Sequence, residues 1–248
     1  ANVFNDFTGE PLGLIFWQGL FLVIVLSIVG RGLLQGTERA NRLMMPGLFL
    51  LLLLLLVYAA FEGDFIGGLR FLFTPDWSKI SFSVILSAIG QALFTLGVGV
   101  GGIMAYGAYV GEGVSIARAT TIVVLADTLV ALISGAIIFP LAFASGLEPA
   151  QGAGLAFKTL PIAFGQMPMG GFIGTLFFIL LVFGAITSAI SMMEPGVMWL
   201  MEKGKSRFHA TLRWAVAAWI VGLGTVFSFN IWSNWYPFGF IPSFSQAN

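Results

Sequence analysis

Three places in this sequence hold residues whose chemistry is more than an apolar chain needs for packing. In Gly184-Ala185-Ile186-Thr187-Ser188, a glycine, a threonine and a serine stand at i, i+3 and i+4. On a helix that spacing turns one backbone carbonyl and two hydroxyls toward one face. Oxygen-only ligands suit a hard cation, and sodium fits by extension of the rules for calcium and magnesium; the competing reading is interhelical hydrogen bonding. Asp127 lies in the apolar run Val123 to Leu129, where a charge costs about 2.5–3.5 kcal/mol at a membrane helix centre. It needs a partner, and no Lys or Arg falls inside a span at similar depth, which leaves a bound sodium ion or a proton, against a protonated structural aspartate. Glu194 precedes Pro195, which frees a backbone carbonyl, so Glu194 serves either packing and hydrogen bonding or transport.

A fourth feature is made of backbone. Phe94-Thr95-Leu96-Gly97-Val98-Gly99-Val100-Gly101-Gly102 carries four glycines in six residues inside a charge-free run. Glycine weakens a helix there. Either the small residues allow close helix packing, or the helix is broken at the midplane, where freed carbonyls bind cations and half-helix ends face a carboxylate.

The elements that must position these groups are membrane helices. Of 248 residues, 58% are hydrophobic and only 9% charged, with mean hydropathy +0.97, whereas soluble domains carry about 25% charged residues. The 11 basic and 11 acidic residues balance, so no excess charge points to nucleic acid. With no cysteine, disulfides, thiolate metal sites and cysteine nucleophiles are excluded. The lone His209 sits in the basic stretch Lys203 to Arg213 and reads as an ordinary loop residue.

About 20 apolar residues cross a bilayer core, and six stretches qualify: 12–30, 43–61, 83–111, 119–144, 172–201 and 210–231. The expected fold is all-α, a polytopic bundle of six transmembrane helices in a single domain over residues 1–248. Arg31, Arg39 and Arg42 follow the first span, Arg118 the third, and Lys203, Lys205, Arg207 and Arg213 the fifth. Eight of the eleven basic residues thus fall on one side, which is cytoplasmic by the positive-inside rule. The net-acidic loop Glu62 to Lys79, the N-terminal Asp6 and Glu10, and the mutually cancelling Glu148 and Lys158 fit the outside. Trp77, Trp232, Trp235 and Tyr236 suit the outer interface.

The same segments resemble the neurotransmitter:sodium symporter family. Gln91-Ala92-Leu93-Phe94-Thr95-Leu96-Gly97-Val98-Gly99 with Tyr106-Gly107-Ala108-Tyr109-Val110 looks like the family's sixth helix, unwound at its centre. Phe73-Thr74-Pro75-Asp76-Trp77 resembles the outer loop before it, Thr159-Leu160-Pro161 through Gly170-Gly171 the fourth outer loop, and Thr187-Ser188 the ion-binding part of the eighth helix. The resemblance makes the six spans the family's fourth to ninth helices, part of a LeuT-like inverted-repeat bundle. It implies sodium-coupled amino-acid symport by alternating access in a bacterial cytoplasmic (inner) membrane, with sodium ions as the coupling cofactor and no organic cofactor.

By that resemblance Phe94 closes over the substrate, Thr95 serves a first sodium site, and Gly97 and Val100 line the side-chain pocket. Gly184, Thr187 and Ser188 belong to a second sodium site, Ser188 and Met192 border the substrate, and Tyr109 and Glu202 form the cytoplasmic gate. Asp127 falls where many members carry a sodium-binding asparagine, and Ala131 where chloride-independent relatives carry a glutamate. Asp127 is therefore expected to ligate sodium and to supply the charge that chloride supplies elsewhere. Gly97 replaces a serine and Val100 an aromatic residue, which predicts a pocket for a large apolar or aromatic amino acid.

The family's first and third helices and everything after the ninth have no counterpart here, so the missing helices of the same protein are expected partners, beside the amino-acid substrate and the lipid bilayer. The chain opens on Ala1 without a basic n-region, which is unlike a signal peptide and suggests that sequence precedes it. Two alternatives remain: a proton-coupled transporter of the same fold, with Asp127 or Glu194 as carrier, and a truncated, non-transporting membrane protein. An intramembrane enzyme is disfavoured by the lack of HExxH, of GxSG and of a histidine inside a span.

Overall fold

The computed structural model describes residues 2–99, 101–111, 113–147, 154–233 and 235. Val100, Glu148, Tyr236 and the stretch 238–248 lie outside the described residues. The helices are α1 (Asn2–Gly9), α2 (Pro11–Val29), α3 (Arg39–Glu62), α4 (Phe65–Phe73), α5 (Phe82–Thr95), α6 (Gly102–Gly107), α7 (Ile116–Ala144), α8 (Leu160–Gln166), α9 (Gly170–Glu202) and α10 (Arg207–Ser228). Short π-helical turns, Leu33–Glu38 and Leu155–Thr159, lead into α3 and α8. The chain is an all-α, polytopic membrane protein. Among the described residues, five segments are long and apolar enough to cross a bilayer: Pro11–Val29, Leu33–Glu62, Ile116–Ala144, Gly170–Glu202 and Arg207–Ser228.

The stretch 83–111 is not one helix. Ser81 caps the start of α5, its hydroxyl accepting from the Val84 amide at 3.3 Å, as short polar N-caps do. The helix then ends at Thr95, and the chain turns through Gly97 at φ +68° and Gly101 at φ +74° before α6 begins. Positive φ there penalises any residue with a Cβ, so the glycines break the span rather than thin it.

Two apolar cores share α3 and α9. One joins Val25 and Val29 of α2, Met44 of α3, Ile186, Ile190, Met193 and Val197 of α9, and Ala210 and Ala215 of α10. The other joins Leu52, Leu55 and Ala59 of α3, Ile137 and Leu141 of α7, Leu160 and Phe164 of α8, and Ile173 and Phe177 of α9. Lipid is as apolar as these side chains, so close approach supplies the specificity. Gly196 of α9 lies directly under the Trp214 indole of α10, and Gly68 of α4 under the Pro140 ring of α7. Pro140 also accepts the Asp64 amide at 3.1 Å, fixing the start of α4 against α7.

Candidate functional site

The break between α5 and α6 sits beside the middle of α9. A Cβ on Gly102 would lie 3.9 Å from the carbonyl oxygens of both Gly97 and Ser191, and one on Gly101 3.8 Å from Pro195. Pro195 has no amide hydrogen to give its i−4 carbonyl, and that carbonyl belongs to Ser191. The proline in α9 thus leaves an acceptor free where the unwound segment passes.

A cavity of about 340 Å³ occupies this junction, and its walls include Phe94, Thr95, Gly97, Thr187, Ser188 and Met192. Residues far apart in sequence converge because α3 and α6 each pack against α9. Of the remaining sequence candidates, two are tied to its wall by hydrogen bonds. The Thr95 hydroxyl donates to Asp127 Oδ1 at 3.0 Å, linking the last residue of α5 to α7. The Thr187 hydroxyl donates to the carbonyls of Gly184 and Phe183, both at 3.0 Å. Gly184 O and Thr187 Oγ1 are therefore neighbours, close enough to bind one cation together. The oxygens of the cavity wall are hydroxyls, carbonyls and the Asn41 carboxamide, with the Asp127 carboxylate one hydrogen bond behind Thr95, a set of oxygens that fits a hard cation.

Tyr109 and Glu202 lie away from the cavity. Tyr109 donates to Glu194 Oε1 at 3.2 Å; Glu202 is exposed and forms no hydrogen bond or ion pair among the described residues. Glu194 is completely buried, and its partner is Arg207, whose guanidinium meets both carboxylate oxygens at 2.9 and 2.8 Å. Arg207 Nε also donates to Val29 O at 2.9 Å. One polar cluster therefore ties α2, α9 and α10 to the segment after α6.

Sequence reasoning left Arg207 among the loop charges that orient the chain. The signal that could have found it was a carboxylate inside an apolar helix, which needs a cation, with a basic stretch one turn beyond the helix end. Three further polar residues of the cavity wall, Asn41, Tyr106 and Ser191, were also missed. Asn41 precedes the second apolar run and carries no motif.

The profile of the Sodium:neurotransmitter symporter family matches residues 9–233. The sodium-dependent transporter YhdH of Bacillus subtilis is 32% identical over 239 residues, covering 96% of this chain and 53% of that protein. The sodium-dependent transporter MJ1319 of Methanocaldococcus jannaschii is 32% identical over 235 residues, covering 90% and 47%. Among solved structures, that of MhsT in complex with L-phenylalanine superposes with a TM-score of 0.86 at 38% identity, covering 94% of this chain and 54% of that one. The chain spans about half the length of the relatives it matches. With the glycine-broken helix and its oxygen-lined cavity inside the matched region, the chain belongs to the sodium:neurotransmitter symporter family.

Proposed function

We propose that this chain forms the central part of a sodium-coupled amino-acid symporter of the bacterial cytoplasmic membrane, working by alternating access. The observation that carries the reading is the cavity itself: a broken helix, Thr95 bonded to Asp127, and Thr187 with Ser188 on the facing helix. Asp127 and Thr95 contribute to one sodium site; Gly184, Thr187 and Ser188 contribute to another. Phe94, Gly97, Val100, Ser188 and Met192 border the substrate. The helices that complete the bundle belong to the same protein outside these residues.

A large apolar or aromatic amino acid is the proposed substrate. Gly97 and Met192 give the cavity an apolar, uncrowded wall, and the similarity to a protein solved with L-phenylalanine supports this. Tyr109 and Glu202 are proposed to close the cytoplasmic side. Tyr109 does so through Glu194 and Arg207; Glu202 is left for a cation from another part of the protein. Both oxygens of Glu194 are engaged by the Arg207 guanidinium, so this carboxylate serves the ion pair.

The test is uptake into proteoliposomes by the polypeptide made from its own gene. Phenylalanine or tryptophan should accumulate with an inward sodium gradient and stop when choline replaces sodium. Accumulation that persists in choline and follows a proton gradient would overturn sodium coupling; a strong preference for glycine or alanine would overturn the substrate class.

A further inference from the structure

Asn41 stands in the first turn of α3 and lines the same cavity as Thr187 and Ser188. Its side-chain oxygen is buried and has no hydrogen-bond partner among the described residues. A buried amide oxygen without a partner carries a penalty of the order of its full desolvation, so such a group in a cavity wall marks a ligand or a water. Other oxygens gather on the same wall. Tyr106 donates its hydroxyl to Ser191 Oγ at 3.4 Å, and Ser191 donates to the Thr187 carbonyl at 3.1 Å. The Ser191 carbonyl is the one freed by Pro195.

This second group of oxygens lies one helical turn along α9 from Thr187 and Ser188, in the direction of Glu194. We propose that Asn41, with Ser191 and Tyr106, forms an inward cation station, where the Asn41 side-chain oxygen ligates sodium between the site at Thr187 and Ser188 and the cytoplasmic side. The ligands are neutral oxygens, so the station holds a cation weakly, as a relay position needs. Arg39 and Arg42 lie on the same helix near Asn41, with Arg42 paired to Glu38. With Arg42 offset by Glu38, the positive charge of Arg39 would discourage a lasting stay. The inference rests on the symport reading above.

The experiment measures the rise in unfolding temperature on adding sodium, without amino acid, for the polypeptide made from its gene and for Asn41→Leu and Asn41→Asp. Choline at equal ionic strength is the reference. Asn41→Leu keeps the branched shape and removes the oxygen, so half-maximal stabilisation should need roughly tenfold more sodium, the scale of one lost bond to a charged group. Asn41→Asp keeps the oxygen and adds charge, so it should need less sodium than the parent. A parent chain indifferent to sodium overturns this proposal together with the ion half of the symport reading. A sodium response in the parent that both variants reproduce unchanged overturns the role of Asn41 alone. If Asn41→Leu does not fold, Asn41→Asp decides: tighter sodium binding supports the station, and an unchanged response overturns it.

Discussion

Arg207 holds Glu194 through two parallel hydrogen bonds across thirteen residues of sequence, and the carboxylate so held is wholly buried. Burying two charges is repaid only by good geometry, and removing one partner of such a pair costs about 3–5 kcal/mol. Arg207→Ala and Glu194→Ala should therefore each lower the unfolding temperature in detergent markedly. Glu194→Leu combined with Arg207→Leu should lose less than either single change, because no charge is stranded. If the single variants melted like the parent, the pair would be a surface contact in practice.

Gly101 makes the turn between the two half-helices at φ +74°, where a residue with a Cβ is strained by about 1–2 kcal/mol. Gly101→Ala should shift α6 away from Pro195 and Ser191 and weaken amino-acid binding about 5- to 30-fold, the equivalent of that strain. Gly90→Ala, in the open face of α5 where nothing lies within 4 Å, should leave binding as it is. Equilibrium binding of labelled phenylalanine at saturating sodium compares the two, and equal affinities would show that the break tolerates side chains.

The unwound segment and the Thr187-Ser188 face were legible in the sequence because each rests on local rules: glycine density within a span, and i, i+3, i+4 spacing. Asp127 was legible because a lone carboxylate in an apolar run demands a partner. What brought Thr95 to Asp127, and Arg207 to Glu194, was tertiary packing of helices separated by loops, for which residue spacing carries no record. Asn41 was invisible for a related reason. Its significance is an unpaired oxygen in a cavity wall, a property of the surroundings rather than of the residue.

Outside the bundle, Asp76 caps the turn Trp77–Lys79. The Ser78 hydroxyl first, then Lys79 and the Ser78 amide, hold its carboxyl below the ordinary 3.8. A depressed folded value means the cap stabilises the turn above the unfolded value and is lost as pH falls through the folded one. Protection of the Ser78 amide from hydrogen exchange should therefore persist at pH 3.8 and fade only below it. Ser78→Ala removes the largest contribution and should move that loss to higher pH; an unchanged midpoint would assign the depression to Lys79 and the retained backbone amide instead.

Asp127 offers the sharpest test of the proposed ion coupling, because one oxygen accepts from Thr95 at 3.0 Å and the other makes no hydrogen bond among the described residues. If it both ligates sodium and supplies the negative charge that chloride supplies in other members, Asp127→Asn keeps an oxygen and removes that charge. Sodium-dependent uptake should then fall by roughly tenfold or more, in keeping with the loss of a charge-assisted contact, and added chloride should restore part of it. Thr95→Val should weaken sodium binding without creating a chloride requirement, since it leaves the carboxylate in place. Uptake by Asp127→Asn that matched the parent in chloride-free gluconate would remove Asp127 from the ion site and leave Thr95 without a charged partner there.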